Sequence, residues 1–121
     1  KKKYVRDAFD FVVLDEKTSN IVKVTNGTLT LSGKQKNKKS NTLSWNKLKR
    51  EDTKKQGYVI YRKTNNDKKY KKLKEVTKNS YTDKSIKKKK KYSYKVRMFY
   101  VNEDGKREYS PYSNGITIKV K

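Results

Sequence analysis

Cysteine and histidine are both absent from the 121 residues of this chain. Disulfides therefore do not stabilise the fold, which argues against the disulfide-dense style of small secreted animal domains. The same two absences exclude metal sites built from thiolate or imidazole ligands. They also exclude catalysis by a histidine base or a cysteine nucleophile.

Long apolar runs and a leader sequence are missing as well. No run approaches the ~20 apolar residues that a membrane-spanning helix needs. The chain starts with lysine, its one methionine is Met98, and it lacks the basic start, apolar middle and small-residue cleavage site of a signal peptide. We therefore expect a mature or excised piece of a longer product, without a transmembrane segment.

Acidic residues are few: 12 Asp and Glu stand against 35 Lys and Arg, for a formal net charge of +23. Abundant Lys, Asn, Tyr and Ile beside a single Ala and a single Pro are typical of an AT-rich genome, as in low-GC bacteria. That bias explains the excess of Lys over Arg but not over Glu, because Glu also has an AT-rich codon. A surface this basic attracts polyanions, whether cell-wall polymers, sulfated glycans, nucleic acid or anionic lipid.

Residues 27–121 alternate between apolar and polar positions, with turn signals about every ten residues. A basic turn is expected at 34–40 and a polar loop at 47–56, and no segment has a convincing helical period. The pattern predicts an all-β antiparallel sandwich with strands at 28–31, 42–46, 58–63, 70–76, 80–83, 92–101 and 116–120. The predicted inward residues are Leu29, Leu31, Leu43, Trp45, Tyr58, Ile60, Tyr92, Tyr94, Val96, Met98, Tyr100, Ile116, Ile118 and Val120.

Four short motifs occur in order along this part of the chain: 42–45 (TLSW), 57–62 (GYVIYR), 92–97 (YSYKVR) and 110–114 (SPYSN). Together they resemble a fibronectin type III domain, an immunoglobulin-like β-sandwich, over residues 27–121. In this resemblance Trp45 matches the strand-B tryptophan, Tyr92 the tyrosine corner and Ile86 the buried aliphatic of the loop before it. The usual Pro-Gly of that loop is replaced by lysines. The resemblance implies a scaffold that binds, spaces or assembles, with no catalytic residue, cofactor or metal.

Two surfaces are candidates for binding. Outward positions on the strands at 58–63 and 92–101 put two aromatics, Tyr61 and Phe99, among the cations Lys63, Lys95 and Arg97, where they would stack on bases or sugars. The alternatives are cross-strand pairs that stabilise the sheet or a packing surface for another segment. The second candidate is a polyanion-binding loop, with a solvated loop as the alternative; its residues are Lys87, Lys88, Lys89, Lys90 and Lys91.

Residues 1–26 form a separate, unusually apolar extension. Strand-like runs at 9–14 and 21–24 flank a polar turn and predict a β-hairpin or two extended strands. The hairpin could end a preceding domain, add strands to the same module, or donate a strand to a neighbouring subunit and make a homo-oligomer. The candidate assembly residues are Phe9, Phe11, Val13, Ile21, Val22 and Val24.

The sequence as a whole favours a non-enzymatic module for adhesion, binding or spacing, extracellular or at the cell surface, in a bacterial surface or cell-wall-associated protein. Its expected partners are a polyanionic surface or glycan, nucleic acid, or other protein domains. One alternative is a structural subunit of a fibre, filament or phage particle that assembles through residues 4–24. Another is an accessory module of a carbohydrate-active enzyme.

Overall fold

The structure is a computed structural model that describes residues 11–14, 21–25, 28–50 and 55–121. The described ranges contain strands and no helix, and every strand pair is antiparallel. The strands are β1 (Phe11–Leu14), β2 (Ile21–Thr25), β3 (Leu31–Asn37), β4 (Ser40–Trp45), β5 (Leu48–Arg50), β6 (Gln56–Thr64), β7 (Lys71–Val76), β8 (Ser80–Asp83), β9 (Lys91–Val101), β10 (Arg107–Tyr109) and β11 (Ile116–Lys119).

Two of the sheets face each other as a β-sandwich. One has the strand order β10-β9-β6-β7, with β11 also paired to β9, and the other has the order β3-β4-β8. The alternating apolar positions of both sheets meet between them, which confirms the predicted sandwich and its inward residues. The buried core cluster consists of Leu29, Leu31, Leu43, Trp45, Leu48, Tyr58, Ile60, Ile86, Tyr92, Tyr94, Val96, Met98, Tyr100, Ile118 and Val120, with Ile116 half-buried against it.

The tyrosine corner implied by the family resemblance is present. The backbone N–H of Lys87 donates to the Tyr92 hydroxyl at 2.8 Å, and Ile86 is buried just before it. This bond ties the loop between β8 and β9 to the start of β9. The lysine-rich loop therefore has a fixed attachment to the sandwich.

Three strand assignments differ from the sequence prediction. Most of the predicted basic turn at 34–40 belongs to β3, which pairs with β4 as far as Asn37 and Ser40. Lysines are tolerated there because they point outward from an edge strand, where charged side chains are common.

The predicted polar loop at 47–56 contains β5. The backbone of buried Leu48 forms two hydrogen bonds with the Tyr58 hydroxyl, at 3.0 and 3.1 Å. The short strand β10 was not predicted.

The predicted N-terminal hairpin is present as β1 and β2. Strand β1 also pairs with β5, and the three strands form a small sheet of order β2-β1-β5. This arrangement adds strands to the same module, which is one of the three that the sequence allowed. Assembly by strand donation stays a prediction. Phe9 lies outside the described residues, and for the other candidates the structure describes the strands but not the side chains: Phe11, Val13, Ile21, Val22 and Val24.

Several loops meet at the end of the sandwich where β11 finishes. The N–H of Lys91 donates to the Asn65 side chain at 2.8 Å, joining the β8–β9 loop to the β6–β7 turn. The N–H of Lys89 donates to the Val120 carbonyl at 2.8 Å. The N–H of Lys121 donates to the Gln35 side chain at 3.0 Å and so reaches β3. These bonds bring distant lysines of the sequence to one end of the molecule.

Candidate functional site

The segment between β10 and β11 is fastened to the outer edge of β9 by two serines. The N–H of Ser110 donates to the Met98 carbonyl at 2.9 Å, and the Met98 N–H donates back to the Ser110 hydroxyl at 2.9 Å. Ser113 repeats this exchange with Val96 at 2.8 and 3.0 Å. Because these four bonds fasten the segment to β9 at both serines, Tyr109 and Tyr112 are held over the outer face of the sheet.

Arg97 lies at the centre of this face. Its guanidinium carbon is 3.8 Å from the ring centre of Tyr109 and 4.5 Å from that of Tyr112. Its Nε donates to the Tyr61 hydroxyl at 3.1 Å, and the Tyr61 and Tyr112 rings meet edge to face at 5.4 Å. A cation over an aromatic face is attracted by the quadrupole of the ring. Arg97 is thus held by three tyrosines.

The pattern continues along the sheet with lysines. The ammonium of Lys95 lies 3.8 Å from the ring centre of Tyr112 and 4.4 Å from that of Tyr70. Lys63 lies 5.1 Å from the centre of the same Tyr70 ring. We call this alternating surface the ladder face; its residues are Tyr61, Lys63, Tyr70, Lys95, Arg97, Tyr109 and Tyr112.

Four of the predicted binding residues therefore do share one face: Tyr61, Lys63, Lys95 and Arg97. Their cations are already in contact with rings of the same molecule, although Tyr109 and Tyr112 keep 39% and 40% of their surface exposed. Sequence reasoning missed the tyrosines Tyr70, Tyr109 and Tyr112. A sequence signal was available for Tyr112, because it belongs to the 110–114 motif (SPYSN) that precedes the last strand.

Phe99 does not belong to this exposed surface, and its predicted solvent-facing position is wrong. The ring is 5% exposed. It lies over Gly57, where an added Cβ would come within 2.7 Å of it, and the guanidinium of Arg107 covers it at 3.9 Å. Arg107 in turn donates two hydrogen bonds to Glu75, at 2.8 and 3.1 Å. These bonds, with one from Lys72, lower the pKa of Glu75 to about 2.

A second basic surface lies at the end of the sandwich. The loop at 87–91 runs beside the C terminus, where the Val120 N–H donates to the Lys90 carbonyl at 2.9 Å. Next to it, β3 and β11 border an open groove of about 750 Å³ whose sides carry five further lysines. We call these lysines together the lysine pole: Lys34, Lys36, Lys38, Lys87, Lys88, Lys89, Lys90, Lys91, Lys119 and Lys121.

Within the described part of the chain, no carboxylate pairs with the lysine pole. All its side chains are exposed apart from half-buried Lys90. Within residues 28–50 and 55–121, the ion pairs involve Arg62, Lys72 and Arg107, and none involves a lysine of the pole. Lys91 and Lys119 lie directly opposite each other on β9 and β11. Like charges in that position destabilise a sheet.

The backbone of the loop carries a second unfavourable feature. Lys89 has a φ of 66°, in the left-handed region that costs a residue with a Cβ about 1–2 kcal/mol. Glycine is the residue that this conformation favours. A lysine here adds backbone strain to charge repulsion. The loop is therefore arranged at some cost to folding stability.

The carboxylate at the start of this loop is buried and already bound. Asp83 is 1% exposed; it accepts hydrogen bonds from the Tyr94 hydroxyl at 2.6 Å and from Arg62 at 2.8 Å. Burial favours the neutral acid, but these bonds and two from Ser85 outweigh it and hold the pKa of Asp83 below its usual value. Asp83 therefore anchors the loop and is already bound to other groups than the lysines of the pole.

No cluster of acidic side chains in the described residues is arranged to hold a metal ion. The described residues also contain no helix long and apolar enough to cross a membrane. The predicted absence of catalytic and cofactor-binding residues stays a prediction.

The arrangement of strands is similar to that of several solved structures. A structure entitled "Myokine structure" superposes with a TM-score of 0.54 and 16% identity, over 78% of this chain and 96% of that chain. The twitchin kinase region of C. elegans, whose name includes an Fn31 module, superposes with a TM-score of 0.58 and 13% identity over 77% of this chain. The chain has a fibronectin type III-like fold.

A third similar structure is pectate lyase PelI from Erwinia chrysanthemi, in complex with tetragalacturonic acid, with a TM-score of 0.54 and 20% identity over 74% of this chain. The fibronectin type III-like module spans 28% of that pectate lyase chain and 16% of the twitchin chain. At these identities the similarity shows the fold. No protein-family model and no curated protein sequence matches the chain.

Proposed function

We propose that this fibronectin type III-like module is a non-enzymatic binding module that holds an anionic polymer through the lysine pole. The fold is that of a β-sandwich binding or spacer module. The observation that carries the proposal is the set of exposed lysines at one end without a carboxylate partner among the described residues. A polymer with regular negative charge would bind there by displacing counterions.

Two features of the pole lower folding stability, namely the backbone strain at Lys89 and the repulsion between Lys91 and Lys119. They support a role in binding over a role in solubility alone. A loop that served only to stay hydrated would gain nothing from lysine at Lys89 or from the opposed pair Lys91 and Lys119. A bound polyanion would replace the repulsion between these ammonium groups with attraction. Local features that oppose folding are expected at functional sites.

We place this binding at a bacterial cell surface or outside the cell, where anionic cell-wall polymers and glycans are available. The alternative of a fibre or filament subunit has less support, because β1 takes β5 of its own chain as its partner. An accessory role beside a carbohydrate-active domain would use the same basic surface. In each case the module supplies attachment rather than chemistry.

The test compares two variants of equal charge. The pole variant replaces Lys87, Lys88 and Lys91 with Gln, and the control replaces exposed Lys71, Lys74 and Lys78 on and beside β7 with Gln. Binding to heparin and to polyphosphate is measured from low to high salt. Each lost contact should reduce the slope of log K against log salt by about 0.7–0.9. We expect a shallower slope and weaker binding for the pole variant alone.

Equal loss in both variants would show that total charge, rather than the pole, determines binding. Absence of binding by the unmodified chain at low salt would overturn the proposal. Circular dichroism of each variant establishes that the sandwich is folded.

A further inference from the structure

We propose that the groove between β3 and β11 holds a single linear phosphate polymer that carries no bases. This inference rests on the proposed function and specifies its ligand. It is supported by the lining of the groove, by the way its width is fixed and by the lysines on both of its sides.

The width of the groove is fixed at both ends. At one end the Asn114 side chain accepts from the Leu31 N–H at 2.8 Å and donates to the Leu31 carbonyl at 3.0 Å. At the other end Gln35 accepts from the N–H of Lys121. Between these ends Gly33 allows close approach, because a Cβ there would come within 2.9 Å of the Ile116 side chain. The two strands thus form a preorganised slot, which reduces the entropic cost of binding.

Lysines line both sides of this slot. Lys34 and Lys36 are both exposed on β3, where the pairing with β4 shifts register between Gln35 and Asn37. Lys119 and Lys121 line the groove from the β11 side. An extended polyanion lying along the slot would meet ammonium groups on both sides. Lysine suits phosphate as a compact point charge.

The groove also lacks the side chains on which bases would stack. None of its lining residues is aromatic. Proteins that bind single-stranded nucleic acid use aromatic side chains on which bases stack. Among the described residues, the exposed aromatics Tyr109 and Tyr112 lie on the ladder face, where they contact cations. The slot therefore favours a polymer whose anionic backbone is the part that is recognised.

The experiment compares a groove variant with a loop variant of the same charge. The groove variant replaces Lys34, Lys36 and Lys119 with Gln, and the loop variant replaces Lys87, Lys88 and Lys90 with Gln. Fluorescence anisotropy measures the binding of four probes: inorganic polyphosphate, poly(glycerol phosphate), oligo(dT) and heparin. We expect the groove variant to lose about tenfold more affinity for both phosphate polymers than the loop variant does. Heparin binding should fall equally in the two variants.

The possible binding results separate failure of the groove as the site from failure of the proposed function. Equal loss in the two variants would overturn the groove as the site and leave the proposed function standing. Tighter binding of oligo(dT) than of polyphosphate at equal charge would show base recognition and also overturn the inference. A preference between polyphosphate and poly(glycerol phosphate) identifies the source of the phosphate. If the unmodified chain binds none of the four probes, both the inference and the proposed function fail.

Discussion

The ladder face and the lysine pole use similar cations in opposite ways. On the ladder face Arg97 contacts three tyrosines and Lys95 contacts two. At the pole, neither an aromatic ring nor a carboxylate of the described residues lies beside the ammonium groups. A cation fixed over a ring contributes to the stability of the sheet. An exposed ammonium keeps its water and its counterions until a polyanion displaces them.

The difference shows that the cations of this chain occupy two kinds of environment that composition does not separate. The ladder face has the exposed tyrosines and the cations expected of a binding surface, but these groups satisfy one another. Among the described residues, the lysines of the pole have no aromatic or carboxylate partner. We therefore expect the ladder face to contribute stability, and under the proposed function the pole contributes binding. Half-buried Arg62, paired with the buried carboxylate of Asp83, is the clearest case of a cation that contributes stability.

The largest expected effect on the free energy of unfolding comes from removing the ion pair between Asp83 and Arg62. Asp83→Asn leaves Arg62 without its charge partner at a site where the carboxylate is 1% exposed. Breaking a buried ion pair in this way costs about 3 kcal/mol of folding free energy. Urea denaturation followed by tryptophan fluorescence measures the loss. Polyphosphate affinity of the folded fraction should stay within about twofold, since Asp83 does not face the groove.

The same pair predicts a pH dependence. The folded-state pKa of Asp83 lies below its usual 3.8, so its contribution to stability is complete above that value. It is lost as the pH falls through the lower, folded-state pKa. The unmodified chain should lose stability on acidification below pH 3.8, and Asp83→Asn should lose less. An identical acid dependence in the two proteins would show that Asp83 is not the responsible group.

The second-largest expected effect on the free energy of unfolding comes from a substitution on the ladder face. Arg97→Met keeps the length of the side chain but removes its attraction to Tyr109 and Tyr112 and its hydrogen bond to Tyr61. We expect a loss of about 2 kcal/mol in the free energy of unfolding, with unchanged salt dependence of polyanion binding. Arg97→Lys is the matched control, and it should recover part of the stability because it restores the charge without the planar group. Weakened polyphosphate binding by a fully folded Arg97→Met protein would assign binding to the ladder face as well.

Much of the fold could be predicted from the sequence because the signals were local. Period-2 apolar alternation placed the core residues of β4, β6, β9 and β11. The differences arose where the pattern is set by distant partners. β5 is a strand because Tyr58 and β1 pair with it, and β3 extends through lysines because β4 supplies its hydrogen bonds.

The candidate sites were predicted only in part, for the same reason. Alternation put Tyr61, Lys95 and Arg97 on one face, and the five-lysine run indicated the loop. Whether Phe99 was exposed depended on Arg107, which reaches it from β10. The lysines of β3 and the C terminus joined the pole through the bonds of Val120 and Gln35, which no local pattern encodes.

The smallest expected effect comes from the strained lysine of the loop at 87–91, and it tests most directly whether the pole is built for binding. Lys89→Gly removes one ammonium group and also relieves the left-handed backbone strain at this position. We expect the free energy of unfolding to rise by about 1 kcal/mol. We also expect polyphosphate binding to weaken, with a salt slope smaller by about 0.7–0.9. Thermal denaturation and anisotropy titrations on the same samples measure both quantities.

The control for this prediction is Lys89→Ala, which removes the same charge but keeps the strain. If the pole exists to bind, both variants lose the same affinity, and only the glycine variant gains stability. Unchanged binding in both would mean that the lysine at this position reflects the nucleotide bias of the gene and contributes nothing to a ligand. Opposite movement of stability and affinity in Lys89→Gly is therefore the result that distinguishes a lysine retained for binding from one retained by composition.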